Sequence, residues 1–179
     1  MKKKIISFLL KSRKVYYYNK KNKIHLKVQK SPDFKVLNFG KKNNRKFFYV
    51  IKRIKGGGLF SNLLFVLNHL IIAEKLKFIP VIDMENFTNL YNEKIKVYGT
   101  YNSWLYYFEP VSKYTLNEVY KSKNVIFSTE NIFDGQSLSY KENKKNIIKV
   151  FKKYIKIKHK YVREANNFIK KNKINLNTL

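Results

Sequence analysis

The sequence predicts an α/β fold, a mainly parallel sheet flanked by helices. Three observations carry the expectation. Phe47–Ile54, reading Phe-Phe-Tyr-Val-Ile-Lys-Arg-Ile, is β-rich and suits a buried strand. Leu63 to Leu76 is apolar nearly all round, as in a helix packed on several sides. Phe78–Asp83 is a second short apolar run, with Pro80 near its start. Strand, helix and strand within ~37 residues make a βαβ unit, whose two strands run parallel. A chain of 179 residues, 44% hydrophobic, can bury one core and is too short for two full-sized domains.

Residues 1–46 form a basic N-terminal extension ahead of the organised region, 47–179. Ile5, Ile6, Phe8, Leu9 and Leu10 lie between lysines and imitate a signal peptide. Lys11, Arg13 and Lys14 close the run without a small-residue cleavage site. The expectation is a cytoplasmic chain whose first 14 residues touch the inner face of an anionic membrane. Val15–Tyr18 and Ile24–Val28 suit a hairpin that ends before Ser31-Pro32-Asp33.

Between the first predicted strand and its helix stands Lys55-Gly56-Gly57-Gly58-Leu59-Phe60-Ser61-Asn62, with half of the chain's six glycines. Glycines permit positive φ and close backbone approach, and the first amides of a helix point outward without internal partners. The corner therefore suits a small anion or nucleotide, or equally a tight βα turn without a ligand. It matches neither G-x-G-x-x-G nor G-x-x-x-x-G-K-[ST]. Ser61 or Asn62 is expected to cap the helix. A loop rich in Asn, Tyr and Gly follows from Met84 to Tyr101, then Asn102–Ser112, then a short third strand at Asn124–Ser128. Lys141 to Lys171 reads as one long helix, with Ile147, Ile148, Phe151, Tyr154, Ile155, Tyr161, Val162, Ala165, Phe168 and Ile169 near helical spacing and lysines opposite.

Lys plus Arg number 39 against 11 Asp plus Glu, a formal charge of +28. That balance suits an anionic partner. It also follows from the Lys, Asn, Ile, Tyr and Phe usage of an AT-rich genome, and the lysines are spread along the whole chain. Only weak, sequence-blind contact with nucleic acid is expected. There is no cysteine, and His25, His69 and His159 show no metal-ligand spacing. G-x-S-x-G and H-E-x-x-H are missing, and no residue is assigned catalysis. Asp83, at a strand's C-terminal end, is the best-placed acid, either facing a ligand or capping local amides. Glu109, in an aromatic stretch, suits a sugar hydroxyl or a lysine partner; Trp104 and His69 suit the core.

Gly58-Leu59-Phe60-Ser61-Asn62 resembles the G-x-F-[GS]-N corner near the start of fucosyltransferase-superfamily catalytic domains. Trp104-Leu105-Tyr106-Tyr107-Phe108-Glu109-Pro110-Val111-Ser112 is similar to the W-x-x-x-F-x-P-[VL]-S segment of the α-1,6-fucosyltransferase branch, a group allied to the O-fucosyltransferases. The resemblance covers roughly residues 47 to 179. It implies the N-terminal Rossmann-like half of a GT-B glycosyltransferase that moves fucose from GDP-fucose, a nucleotide-sugar substrate rather than a cofactor, to a cell-surface glycan. It places Asn62 facing the cleft in contact with donor or acceptor, with Gly58 and Phe60 shaping the turn; with Gly57 these are the expected ligand-binding residues, and no metal site is expected. The family's H-x-R-x-x-D diphosphate motif is missing, and Leu63 stands where a Gln usually follows the Asn. The chain is accordingly expected to be a truncated half, inactive alone. The alternatives are a non-enzymatic anion-binding module, for nucleic acid or an acidic membrane surface, and a degenerate fragment without a function of its own.

Overall fold

The computed structural model describes residues 36–53, 57–128 and 140–175. The expected membrane-touching segment, the expected hairpin and Ile54–Gly56 lie outside the described residues. Three strands, β1 (Lys42–Lys52), β2 (Ile79–Asp83) and β3 (Ser122–Phe127), form one sheet in the order β2-β1-β3. Both pairings are parallel: Val50 lies beside Val81 on one side and Phe127 on the other. The α/β class and the βαβ unit therefore stand.

β1 is central because its second half can be buried on both faces. Phe48, Tyr49, Val50 and Ile51 are all fully buried. Tyr49 and Ile51 join Ile82 and Ile126 in one core, and Phe48 and Val50 join Val81, Val125 and Phe127 in another. A central strand covered on both sides reads as a continuous apolar run, which is why it was visible in the sequence. Each such side chain contributes ~1.5–3 kcal/mol by burial. The strand begins at Lys42, ahead of the expected Phe47, because its exposed first half follows β3 through a register shift between Lys42 and Phe47.

Helix α1 (Leu59–Lys75) covers the first face with Phe65, Val66, Leu67, Leu70 and Ala73. It starts before the expected Ser61 or Asn62. Gly58 is the N-cap, its carbonyl accepting from the Asn62 amide at 3.0 Å, and no side chain caps the helix. Neither predicted cap is available: Ser61 is engaged by Arg53, and Asn62 is buried. The helix ends in a left-handed turn at Lys77 (φ 55), with the amides of Lys77 and Phe78 donating to the carbonyls of Glu74 and Ala73.

Two one-turn helices follow, α2 (Trp104–Tyr107) and α3 (Leu116–Val119). Thr115 and Glu118 form a reciprocal capping box on α3, whose Val119 packs into the second core. The expected single C-terminal helix is two, α4 (Tyr140–Tyr154) and α5 (His159–Lys171). Tertiary hydrogen bonds break it. Glu109 donates its amide to the Lys156 carbonyl at 2.8 Å, Lys158 donates its own to Tyr107 at 3.0 Å, and Ile155 enters the first core. Among the described residues no helix is long and apolar enough to cross a membrane.

Candidate functional site

All three strands end on one side of the sheet, the side where ligands of open parallel sheets bind. Lys52 of β1 lies level with Asp83 of β2, and Ser128, just past β3, donates its amide to the Val50 carbonyl at 2.8 Å. The glycine corner rises from this end. Arg53, which the sequence reading passed over, is its organising cation. It donates to the Ser61 carbonyl at 2.7 Å and to Ser61 Oγ at 3.2 Å, and its guanidinium lies 4.8 Å from the Phe65 ring.

The four predicted ligand residues do different things. A Cβ on Gly57 would lie 2.7 Å from Ser61 Oγ and 3.1 Å from Arg53 Nη2, so a side chain there must displace the Arg53–Ser61 contact. Gly58 is exposed, has φ −56, and would place a Cβ in open space. Positive φ, expected of this corner, is not used at either position; among the described glycines it occurs at Gly99. Phe60 is 81% exposed, on the outer side of α1. Asn62 is buried, on the inner side, so Phe60 and Asn62 do not converge.

Asn62 borders a cavity of about 10 Å³ with Met84, Asn89, Ser103, Trp104 and Tyr107. That is room for about one water or one hydroxyl group. Its Oδ1 is buried without a hydrogen-bond partner. Asn89, also in that lining, belongs to a network of asparagine hydrogen bonds in the segment after β2. Asn89 Oδ1 accepts from Ser103 Oγ at 3.2 Å and from the Tyr91 amide at 2.9 Å, and Asn92 Nδ2 holds the carbonyls of Met84 and Tyr101. The Asn-rich segment after β2 is thus a loop, as read, but one tied by its own side chains.

A larger cavity, about 330 Å³, lies beside β2 between Val81, Ile82, Trp104, Val111, Ser112 and Tyr114. Its volume falls in the small-molecule range. Ser112 Oγ is buried there without a partner. Lys113 is the one cation among the lining residues, and Glu85 the one acid. Burial, then the neighbouring Asp83 charge, pushes the Glu85 carboxyl up. Trp104 borders both cavities.

The remaining candidates resolve toward structure. Asp83 is fully buried and caps local amides. Its Oδ1 accepts from Glu85 and Asn86 at 3.1 and 2.8 Å, and its Oδ2 accepts from Asn86 Nδ2 and from the Tyr120 hydroxyl. Burial raises its pKa against those four donors. Trp104 is core, stacked on Phe108 at 4.4 Å. His69 is core, its Nδ1 2.9 Å from the Tyr49 hydroxyl. Glu109 is exposed rather than enclosed among aromatics. Among the described residues no group of three His, Cys, Asp or Glu could hold a metal ion.

Comparison with protein-family models, with curated proteins and with solved structures finds no match to this chain.

Proposed function

We propose that this chain is the N-terminal, Rossmann-like half of a GT-B glycosyltransferase, binding a nucleotide sugar and a cell-surface glycan, with GDP-fucose as donor. One observation carries the reading. The two segments that resemble fucosyltransferases each supply a buried oxygen without a partner, Asn62 Oδ1 and Ser112 Oγ, and each oxygen borders a cavity. A buried acceptor left unpaired costs ~1–3 kcal/mol, so a fold that keeps two at neighbouring cavities is suited to ligand hydroxyls. The apolar walls and sparse polar groups of the larger cavity suit a sugar ring, with Trp104 as the shared partition.

The same geometry supports inactivity of these residues alone. Diphosphate departure requires concentrated positive charge, and the lining of the two cavities offers only Lys113. The charge pattern also favours a transferase over a nucleic-acid module. Exposed lysines are scattered over β1, α1, α4 and α5, as Lys42, Lys75, Lys152 and Lys170 illustrate, rather than gathered in a groove. In this reading the chain works at the cytoplasmic face of the membrane, with residues 1–14 as a peripheral anchor.

Titration of the 179-residue chain with GDP-fucose, followed by ligand-observed NMR, tests the proposal. Weak saturable binding is expected. Asn62→Leu should weaken it about ten-fold without lowering the urea midpoint, because it removes an unpaired buried oxygen. Donor binding indifferent to Asn62→Leu, or no donor binding, overturns the site. Donor turnover above background with lipid-linked or lipopolysaccharide acceptors overturns the inactivity of the half.

A further inference from the structure

Resting on the reading above for a sugar as occupant, we infer that the ring in the larger cavity carries a free amine, held as an ammonium by Glu85. Most polar side chains of the lining are already engaged. Asn102 Nδ2 donates to the Ile82 carbonyl at 2.7 Å, and its Oδ1 accepts from the amides of Met84 and Trp104, both at 3.3 Å. Thr100 Oγ1 accepts from the Asn102 amide at 3.0 Å. Thr115 is spent on its capping box with Glu118, and the Tyr114 hydroxyl accepts from Lys46 at 2.5 Å. Glu85, Ser112 and Lys113 remain.

Of these three, Glu85 is the group most in need of a partner. Among the described residues no hydrogen bond or ion pair reaches its carboxylate, although 39 cations share the chain with 11 acids. The nearby Asp83 is fully buried, and its four donors are the Glu85 and Asn86 amides, Asn86 Nδ2 and the Tyr120 hydroxyl, none of them a cation. Glu85 therefore stands half-buried in front of a second carboxyl. Lys113 borders the same cavity without pairing with it, its Nζ lying 5.8 Å from the Tyr114 ring.

Burial and the Asp83 charge both push the Glu85 carboxyl up, and a cationic ligand group offsets both. A neutral hydroxyl could donate to Glu85 but would leave the Asp83 repulsion in place. An ammonium supplies a charge-assisted hydrogen bond as well as the missing charge. The rest of the cavity suits the rest of such a sugar: Val81, Trp104, Leu105 and Val111 offer apolar walls, and Ser112 Oγ is a buried hydroxyl without a partner.

Glucosamine, glucose and N-acetylglucosamine present an ammonium, a hydroxyl and an amide at the same ring carbon. Each is titrated near neutrality against the full chain and followed by ligand-observed NMR. Glucosamine should bind at least ~10-fold more tightly than the other two. A chain of charge +28 repels cations in general, so that preference requires a local acid. Glu85→Gln should bring the three sugars within ~2-fold of one another. Its urea midpoint should hold, because the carboxylate has no hydrogen bond to lose. Equal affinities in the unaltered chain, a preference for N-acetylglucosamine, a preference that survives Glu85→Gln, or no sugar binding overturns the amine site. GDP-fucose separates this site from the transferase reading. Donor binding that depends on Asn62, without an amine preference, keeps that reading and removes the amine site. Glucosamine bound through Glu85 without donor binding does the reverse.

Discussion

Gly57 and Gly58 are neighbours with opposite requirements. At Gly57 a methyl group must push aside the Ser61 side chain or Arg53. Gly58 has ordinary φ and open surroundings. Gly57→Ala should therefore cost up to ~1 kcal/mol, through displacement of the exposed Arg53–Ser61 contact. Gly58→Ala should be neutral or stabilise by ~0.4–1 kcal/mol, through a less flexible unfolded chain. Urea denaturation of the two variants checks the pair, and equal costs would contradict the geometry. The sequence marked this run for positive φ, because glycine's commonest use is conformational. The use at Gly57 is steric and depends on where Arg53 points, which no local pattern encodes. Asn62 was legible as a candidate, but its burial and unpaired oxygen depend on a wall supplied by Asn89, Ser103 and Trp104. Ser112 stood inside a noticed motif without being singled out, since nothing in its neighbours announces an enclosed hydroxyl.

At the scale of elements, the packing of α4 on α1 includes a polar clasp. Lys153 Nζ lies 2.5 Å from Glu74 Oε1, which also accepts from the Tyr154 hydroxyl. The Lys153 and Tyr154 hydrogen bonds hold the Glu74 carboxyl below its ordinary value of 4.5. A depressed acid contributes stability above its unfolded pKa and loses it as pH falls through the folded one. The clasp should therefore act fully near neutrality and fade below about pH 4.5. Both side chains are partly exposed, so Glu74→Gln should cost no more than ~1 kcal/mol at pH 7. That cost should shrink as pH falls below about 4.5, measurable by urea midpoints at neutral and acid pH. A gap that widened on acidification would reverse the sign of the argument. Strands and the apolar helix were readable because burial on both faces leaves an uninterrupted run of hydrophobes. The break between α4 and α5 was not, because Ile155–Lys158 keeps helical spacing and is drawn out by hydrogen bonds to Tyr107 and Glu109. The end of α1 was readable from the apolar run stopping at Leu76, although a lysine takes the left-handed position usually marked by glycine. The capping box at Thr115 and Glu118 was present in the sequence as T-x-x-E and would have revealed α3.

For the whole molecule, charge repulsion outweighs pairing. A formal charge of +28 is opposed, among the described residues, by two ion pairs. Raising ionic strength from ~10 to ~150 mM shortens the screening length from ~30 to ~8 Å and should stabilise the fold. Each kcal/mol of repulsion relieved should raise Tm by ~2–4 °C, as read by calorimetry in sodium chloride. A Tm that falls with salt would mean that attractive contacts dominate. The sheet order has a consequence in time. β1 meets β2 soon after it is made, but its other neighbour is completed only at Phe127. On a ribosome adding ~5–20 residues per second, that flank of β1 waits unpaired for several seconds. Lys42, Arg45 and Lys46 stand at the entrance to the waiting strand, and like charges on neighbouring nascent chains keep such an edge from recruiting the wrong partner before its own arrives.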